Sequence, residues 1–261
     1  VKKLFFLAGL PRSGSTWLSA ILNQNPNIFV TPSSPWVELL WRHYSMWDEY
    51  QYEELFSNGG IKKSRNSYLE KITKVFYEEL TDKPIVIDRE KFWQNTKNIE
   101  MYKDIFGEMP KIICPVRNVE EIEASGTLLF NNNNKDWNTS NMKDVFNFAY
   151  QQFQETYESE YRKCLLLIDY NDLVSDTNNI INSIYNFIGE PNYQHNLNKI
   201  FIDKKTYNNI ERSLGLFGLH NIKKGIKKSK TDPKKILSET DFLHFQNLNF
   251  WKKTEEYKLQ N

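Results

Sequence analysis

The chain has 261 residues, with 34 Lys+Arg against 33 Asp+Glu and a formal charge of +1. That near-neutral balance excludes a general nucleic-acid coat or a polybasic membrane binder, so any anion chemistry must come from local clusters of charge. An aromatic share of 15% excludes a disordered chain, and the length suits one large α/β domain or two small ones.

The first apolar run, Leu4–Ala8, is strand-length and lacks polar alternation. Lys2 and Lys3 ahead of it give the start the look of a short signal region, but Pro11 and Arg12 end it too early. Three further runs have the same character: Ile85–Ile87, Ile112–Val116 and Leu165–Ile168. Strands buried on both faces of a parallel sheet read this way. Helical patterns fall between them, over Thr16–Asn23, Val37–Phe56, Tyr68–Leu80, Val119–Phe130, Met142–Tyr161 and Thr177–Ile188. Strand alternating with helix predicts βαβ crossovers and an α/β, doubly wound, three-layer sandwich around a central parallel sheet. The Asn131–Asn134 run reads as an exposed loop. After Pro191 the sheet signals fade, and 204–235, polar and basic with Gly215, Gly218 and Gly225, reads as a long loop covering the sheet. One domain over 1–261 with a C-terminal cover is the simplest organisation. Cys114 and Cys164 are too few for a disulfide framework or a zinc site. They read as small buried apolar residues of a cytoplasmic protein. No apolar run reaches the roughly 18 residues of a membrane span.

The strongest local signal is the run from Gly9 to Thr16, immediately after the first strand and opening the first helix. Gly9 and Gly14 have P-loop spacing, which lets the backbone curl and present successive N–H groups to an anion. The helix N-terminus adds its dipole, and Ser13, Ser15 and Thr16 add hydroxyls. The usual P-loop lysine is missing: position 15 is Ser, and the cation sits earlier, at Arg12. Without that lysine or a clear acidic partner for Mg²⁺, triphosphate chemistry loses its main supports. A second anion site is expected at Arg117, at the C-terminal end of the third run, with Ser125 two turns into the following helix. Two anion sites at neighbouring strand ends imply a ligand with two separated phosphates.

These residues resemble the sulfotransferases that use 3′-phosphoadenosine-5′-phosphosulfate. The loop from Leu10 to Leu18 looks like their 5′-phosphosulfate loop, and Val116–Arg117 through Ser125–Gly126 like their 3′-phosphate site. Agreement continues over 21–26, 168–174 and 184–189, so the resemblance spans about 3–190 and looks closer to bacterial and protein-tyrosine-type members than to the animal cytosolic enzymes. It implies a P-loop-like fold. Pro11, Arg12, Ser13, Gly14, Ser15, Thr16 and Trp17 would hold the phosphosulfate, with Arg117 and Ser125 on the 3′-phosphate. Arg89, just past the second strand, is similar to a family position that carries Lys and would reach the transferring group. Lys223, Lys224 and Gly225, with Lys227 and Ser229 nearby, are similar to the segment that closes over the nucleotide in some relatives. Seven Lys against one Asp between 223 and 235 would draw a polyanion. The implied reaction is in-line sulfuryl transfer to a hydroxyl or amine with no metal, leaving adenosine 3′,5′-bisphosphate.

A general base is harder to place. Protein-tyrosine-type relatives carry a Gly-Glu-Glu pair where this chain reads Val30 to Pro35 without a carboxylate. Candidates are Glu38 in the next helix, Asp88 beside Arg89, and His220. The aromatic set Trp36, Trp41, Tyr44, Trp47 and Tyr50 reads as core first and acceptor wall second. Small-molecule, carbohydrate and peptide acceptors stay open, with no nucleic-acid partner expected. A kinase and a non-catalytic nucleotide binder are the alternatives.

Overall fold

Five strands make one parallel sheet in the computed structural model, which describes residues 2–49, 60–220 and 231–253. They are β1 (Lys3–Leu7), β2 (Ile28–Val30), β3 (Ile85–Arg89), β4 (Ile112–Val116) and β5 (Leu165–Asp169), in the order β2-β3-β1-β4-β5. The four apolar runs all form strands. β2 is an addition, too short at three residues to show a pattern. Its edge is satisfied by Asn23, whose side-chain amide exchanges two hydrogen bonds with the backbone of Val30 (2.8 and 3.2 Å).

Successive side chains of a strand face opposite ways, and β1 feeds two cores accordingly. Phe5 and Leu7 pack with α1 (Ser15–Leu22), while Phe6 and Ala8 join the larger core on the other face. That larger core takes its side chains from α2 (Trp36–Glu49), α3 (Gly60–Leu80), α4 (Thr96–Phe106), α5 (Val119–Asn131) and α6 (Asn141–Tyr157). After β5, α7 (Tyr170–Ser175) and α8 (Thr177–Ile188) return to the α1 face. The result is three layers, as the strand–helix alternation predicts.

Helix bounds shift where polar residues mask the period. α3 begins at Gly60, eight residues before the apolar pattern becomes visible, and its first turns are tied down by Arg65, which pairs with Asp104 at 2.5 Å and lies over the Tyr44 ring. α4 went unmarked in the sequence, yet Asn95 caps its start and Gly107, in the left-handed region, ends it. The largest correction falls in 204–235. Its first eleven residues are a helix, α9 (Lys204–Leu214), capped by the Asp203 side chain and ended by Gly215 at φ 59°. α9 buries only Tyr207 and Glu211, and its apolar residues Tyr207, Ile210 and Leu214, though at helical spacing, are too few among polar neighbours to stand out in the sequence. Two short helices follow, α10 (Pro233–Ile236) and α11 (Glu239–Asn247). Trp36 is a core residue stacked on Phe76, and Trp41 and Tyr44 pack against the same core; Tyr50 lies outside the described residues. No described helix is long and apolar enough to cross a membrane.

Candidate active site

The C-terminal ends of β1, β3 and β4 lie side by side, where ligands of open α/β sheets bind. The loop after β1 carries two left-handed residues, Arg12 (φ 64°) and Gly14 (φ 92°). Gly14 is the residue before α1, and no side chain caps the helix, so its first N–H groups stay available to an anion. Ser13 is fully buried and donates its hydroxyl to the Leu10 carbonyl at 2.5 Å, so it braces the loop instead of offering a donor to the ligand. Ser15 and Thr16 line a cavity of about 310 Å³ with Gly9, Arg12, Arg89 and His220.

Arg89 is the last residue of β3 and sits beside Leu7 in the sheet register. Its guanidinium is half-buried and donates to Thr16 Oγ1 (2.8 Å), the Pro32 carbonyl (2.8 Å) and the Tyr207 hydroxyl (3.0 Å). The Arg12 guanidinium turns the other way, to Ser125 Oγ (3.3 Å from both Nε and Nη2) and the Leu219 carbonyl (2.8 Å). Arg117 donates to the Arg12 carbonyl (3.2 Å) and to Glu121 (2.9 Å), and stacks over the Tyr170 ring. The structure therefore gathers Arg12, Arg117 and Ser125 on one side of the loop, and Arg89 and Thr16 on the other.

Burial and the nearby Arg117 pull the Arg12 pKa down to about 10, and burial lowers Arg89 as well. Among the described residues no carboxylate lies within ion-pair distance of either guanidinium. Two desolvated cations held only by neutral acceptors are costly unless an anion completes them. A larger cavity of about 600 Å³ opens at the opposite end of β1 and β3, but its charges answer one another, as in Lys3–Glu190 and Lys74–Glu70, both at 2.6 Å.

The three candidate bases separate. Glu38 is exposed on α2, paired with Arg42 at 2.6 Å, and does not line the cavity. Asp88 faces the opposite side of the sheet from Arg89, as strand alternation requires, and accepts from Tyr77 and Trp93, each at 2.7 Å. Burial raises its pKa. Only His220 reaches the cavity. Burial and the fields of Arg89 and Arg12 bring its pKa down to about 4, so the ring is neutral at physiological pH. Between about pH 6.5 and 4 the unfolded chain binds the proton that the folded ring refuses. His220 therefore costs stability as pH falls through that window. His220→Gln is expected to flatten the fall in Tm over that range relative to the parent, measured by thermal melts at stepped pH.

Tyr207, Glu211, Tyr170 and the Leu219 carbonyl were not marked in the sequence. Tyr170 had a signal, as the first residue past β5 at the same sheet edge. Tyr207 and Glu211 had only their i, i+4 spacing. Lys223, Lys224 and Gly225, like Lys227 and Ser229, lie outside the described residues. No described group of three or more His, Cys, Asp or Glu is placed to hold a metal ion.

Fold and site define a parallel α/β protein whose first strand–loop–helix unit and the neighbouring strand ends line a cleft with free helix N–H groups and guanidiniums. The chain belongs to the sulfotransferase family, which it matches over residues 5–195. No curated protein sequence matches it. Among solved structures it is similar to the sulfotransferase domain of the curacin biosynthetic pathway, at TM-score 0.61 and 16% identity over 96% of this chain and 98% of that one. The sulfotransferase domain of the Synechococcus PCC 7002 olefin synthase is similar at TM-score 0.55 and 15% identity, over 97% and 96%. Mouse sulfotransferase SULT7A1, solved with PAP, is similar at TM-score 0.52 and 16% identity, over 98% and 86%. At these identities the likenesses establish a shared fold.

Proposed function

We propose that the chain transfers the sulfuryl group of 3′-phosphoadenosine-5′-phosphosulfate to an acceptor hydroxyl or amine. The observation that carries this reading is the pair of half-buried guanidiniums, Arg12 and Arg89, one on each side of a loop that ends in an uncapped helix and neither paired with a carboxylate among the described residues. That donor set suits a nucleotide with two separated anionic groups, and the PAP held by the mouse relative has the same character. Arg12, Arg117 and Ser125 would take the 3′-phosphate. Arg89, Thr16, Ser15 and the loop N–H groups would take the phosphosulfate end. Lys223, Lys224 and Gly225 belong to the same proposal as a cationic cover.

The donor supplies an activated sulfuryl group. Arg89 stabilises the charge that develops on the oxygen the sulfuryl group leaves, because its fork is fixed before reaction by Thr16, Pro32 and Tyr207. His220 takes the acceptor proton. Its neutral ring is ready to accept, and an anion between it and the two arginines offsets the fields that hold its pKa low. The acceptor enters past an apolar wall of Met142, Ile210, Leu214 and Leu219. A small molecule, carbohydrate or peptide fits this reading, in a cytoplasmic setting that suits the free, buried thiols of Cys114 and Cys164.

Titration calorimetry tests the nucleotide. Adenosine 3′,5′-bisphosphate is expected to bind without added metal, and Arg117→Ala to weaken it by about 1.5–3 kcal/mol, the scale of a charged hydrogen bond. Tight ATP binding that requires Mg²⁺, with no bisphosphate binding, would favour a kinase instead. An unchanged affinity in Arg117→Ala would remove the proposed 3′ site.

A further inference from the structure

Past α9 the chain reverses in a turn that carries His220, the cavity's only imidazole among the described residues. This turn carries the two groups that meet the phosphate loop from above: the Leu219 carbonyl on Arg12, and the His220 ring. Its shape is set from within. Glu211, buried on α9, spends both carboxylate oxygens on the turn's backbone, accepting from the N–H of Gly218 at 2.9 Å and of His220 at 2.6 Å. Gly218 supplies the left-handed conformation the reversal needs, at φ 84°. On the outer side the Asn133 side chain exchanges two hydrogen bonds with the Phe217 backbone (3.0 and 3.1 Å). The His220 ring lies 4.7 Å from the Tyr207 ring, and its Nδ1, 3.5 Å from Glu211 Oε1, is buried without a hydrogen bond.

We propose that Glu211 is a positioning residue, whose clasp on the Gly218 and His220 amides holds the His220 imidazole over the phosphate loop for proton transfer. The proposal rests on the reading of His220 as the proton acceptor. A buried carboxylate within the field of the Arg12 guanidinium would be expected to pair with it. Glu211 instead organises backbone, and the ring attached to the shorter of its two bonds is the one that reaches the cavity. Among the described residues, the charged and titratable groups facing His220 are Arg89 from the end of β3, Arg12 from the loop after β1, and Tyr207 and Glu211 from α9.

Two consequences of losing the clasp have opposite signs. Loss of the carboxylate's charge alone would lower the ring's proton affinity further, since Glu211 raises it. Release of the ring into water would raise its midpoint toward the ordinary histidine value of about 6.5. NMR titration of the full chain over about pH 5–8 reads the difference, with His220 assigned by the signal lost in His220→Gln. In the parent, His220 is expected to show no midpoint above pH 5, since its pKa stands at about 4. Glu211→Gln keeps the size but presents an N–H₂ group to one of the two amides. It is expected to bring a His220 midpoint into view between about pH 6 and 7. Glu211→Asp keeps the charge and shortens the reach, and is expected to do the same. A His220 signal that stays untitrated in both variants would overturn the positioning role. The base reading fails separately, if His220→Gln transfers sulfuryl at the parent rate while the clasp variants still free the ring.

Discussion

Arg89→Ala is expected to lower the rate of sulfuryl transfer by about 10²–10³, the loss seen when a preorganised donor to a developing negative charge is removed. Arg89 is the half-buried cation at the end of β3, and its three hydrogen bonds fix the fork before any ligand arrives. A fixed donor stabilises developing charge without reorganising, so the effect falls mainly on kcat. Nucleotide affinity should fall by less, since Arg12, Arg117 and the loop N–H groups remain. Arg89→Lys should keep the charge but lose the fork, because one ammonium cannot span Thr16, Pro32 and Tyr207 as the planar guanidinium does. An intermediate loss of about tenfold is expected, on the scale of one charged hydrogen bond. Steady-state kinetics with calorimetry on the same variants separates the two terms. A fall in affinity with kcat unchanged would move Arg89 from the reacting end to the binding of the nucleotide body.

Gly9→Ala is expected to destabilise the fold by about 3–5 kcal/mol, summing backbone strain and an enforced overlap. Gly9 has φ 140°, and a Cβ there would sit 2.4 Å from the Pro115 carbonyl oxygen and 3.0 Å from the Pro115 nitrogen. Both neighbours are backbone of the adjoining strand β4, so no side chain can swing aside. The same carbonyl accepts from the Leu10 N–H at 3.2 Å, which continues the β1–β4 pairing to the root of the anion loop. Prying this contact apart separates the loop bearing Arg12 from the strand end bearing Arg117, so nucleotide binding should fall with stability. Gly107→Ala is the control. Gly107 also has positive φ, at 73°, but nothing lies within 4 Å of its Cβ position, so a cost of only about 1–2 kcal/mol is expected. Urea denaturation compares the two. Equal costs would mean that φ alone, and not the strand contact, makes Gly9 necessary.

The sheet was legible because β1, β3, β4 and β5 are buried on both faces and read as unbroken apolar runs. β2 was not, because three residues carry no period, and its free edge is covered by Asn23 reaching across from the end of α1. The phosphate loop was legible through Gly9 and Gly14, whose backbone positions restrict residue choice, and through Arg12 and Arg117 beside them. What each side chain faces was harder to read. Ser13 looked like a ligand donor and is turned inward. Asp88 and Arg89 are adjacent, and a period of two already separates them to opposite faces once Ile85–Arg89 is taken as a strand. Glu38 was attractive only for want of a nearer carboxylate. The cover was hidden more deeply. The polar contacts of α9 run through Tyr207 and Glu211, a tyrosine hydroxyl to Arg89 and a carboxylate to backbone, and neither of these has an apolar signature.

The most direct test of sulfuryl transfer from this nucleotide is incubation of the purified chain with donor labelled with ³⁵S in its sulfuryl group and a cell extract as acceptor source, followed by separation of labelled products. Label is expected to appear in an organic sulfate, matched mole for mole by adenosine 3′,5′-bisphosphate, and to be lost in Arg89→Ala. Bound nucleotide with no labelled product from any extract, or label released only as free sulfate at the same rate in parent and variant, would contradict it.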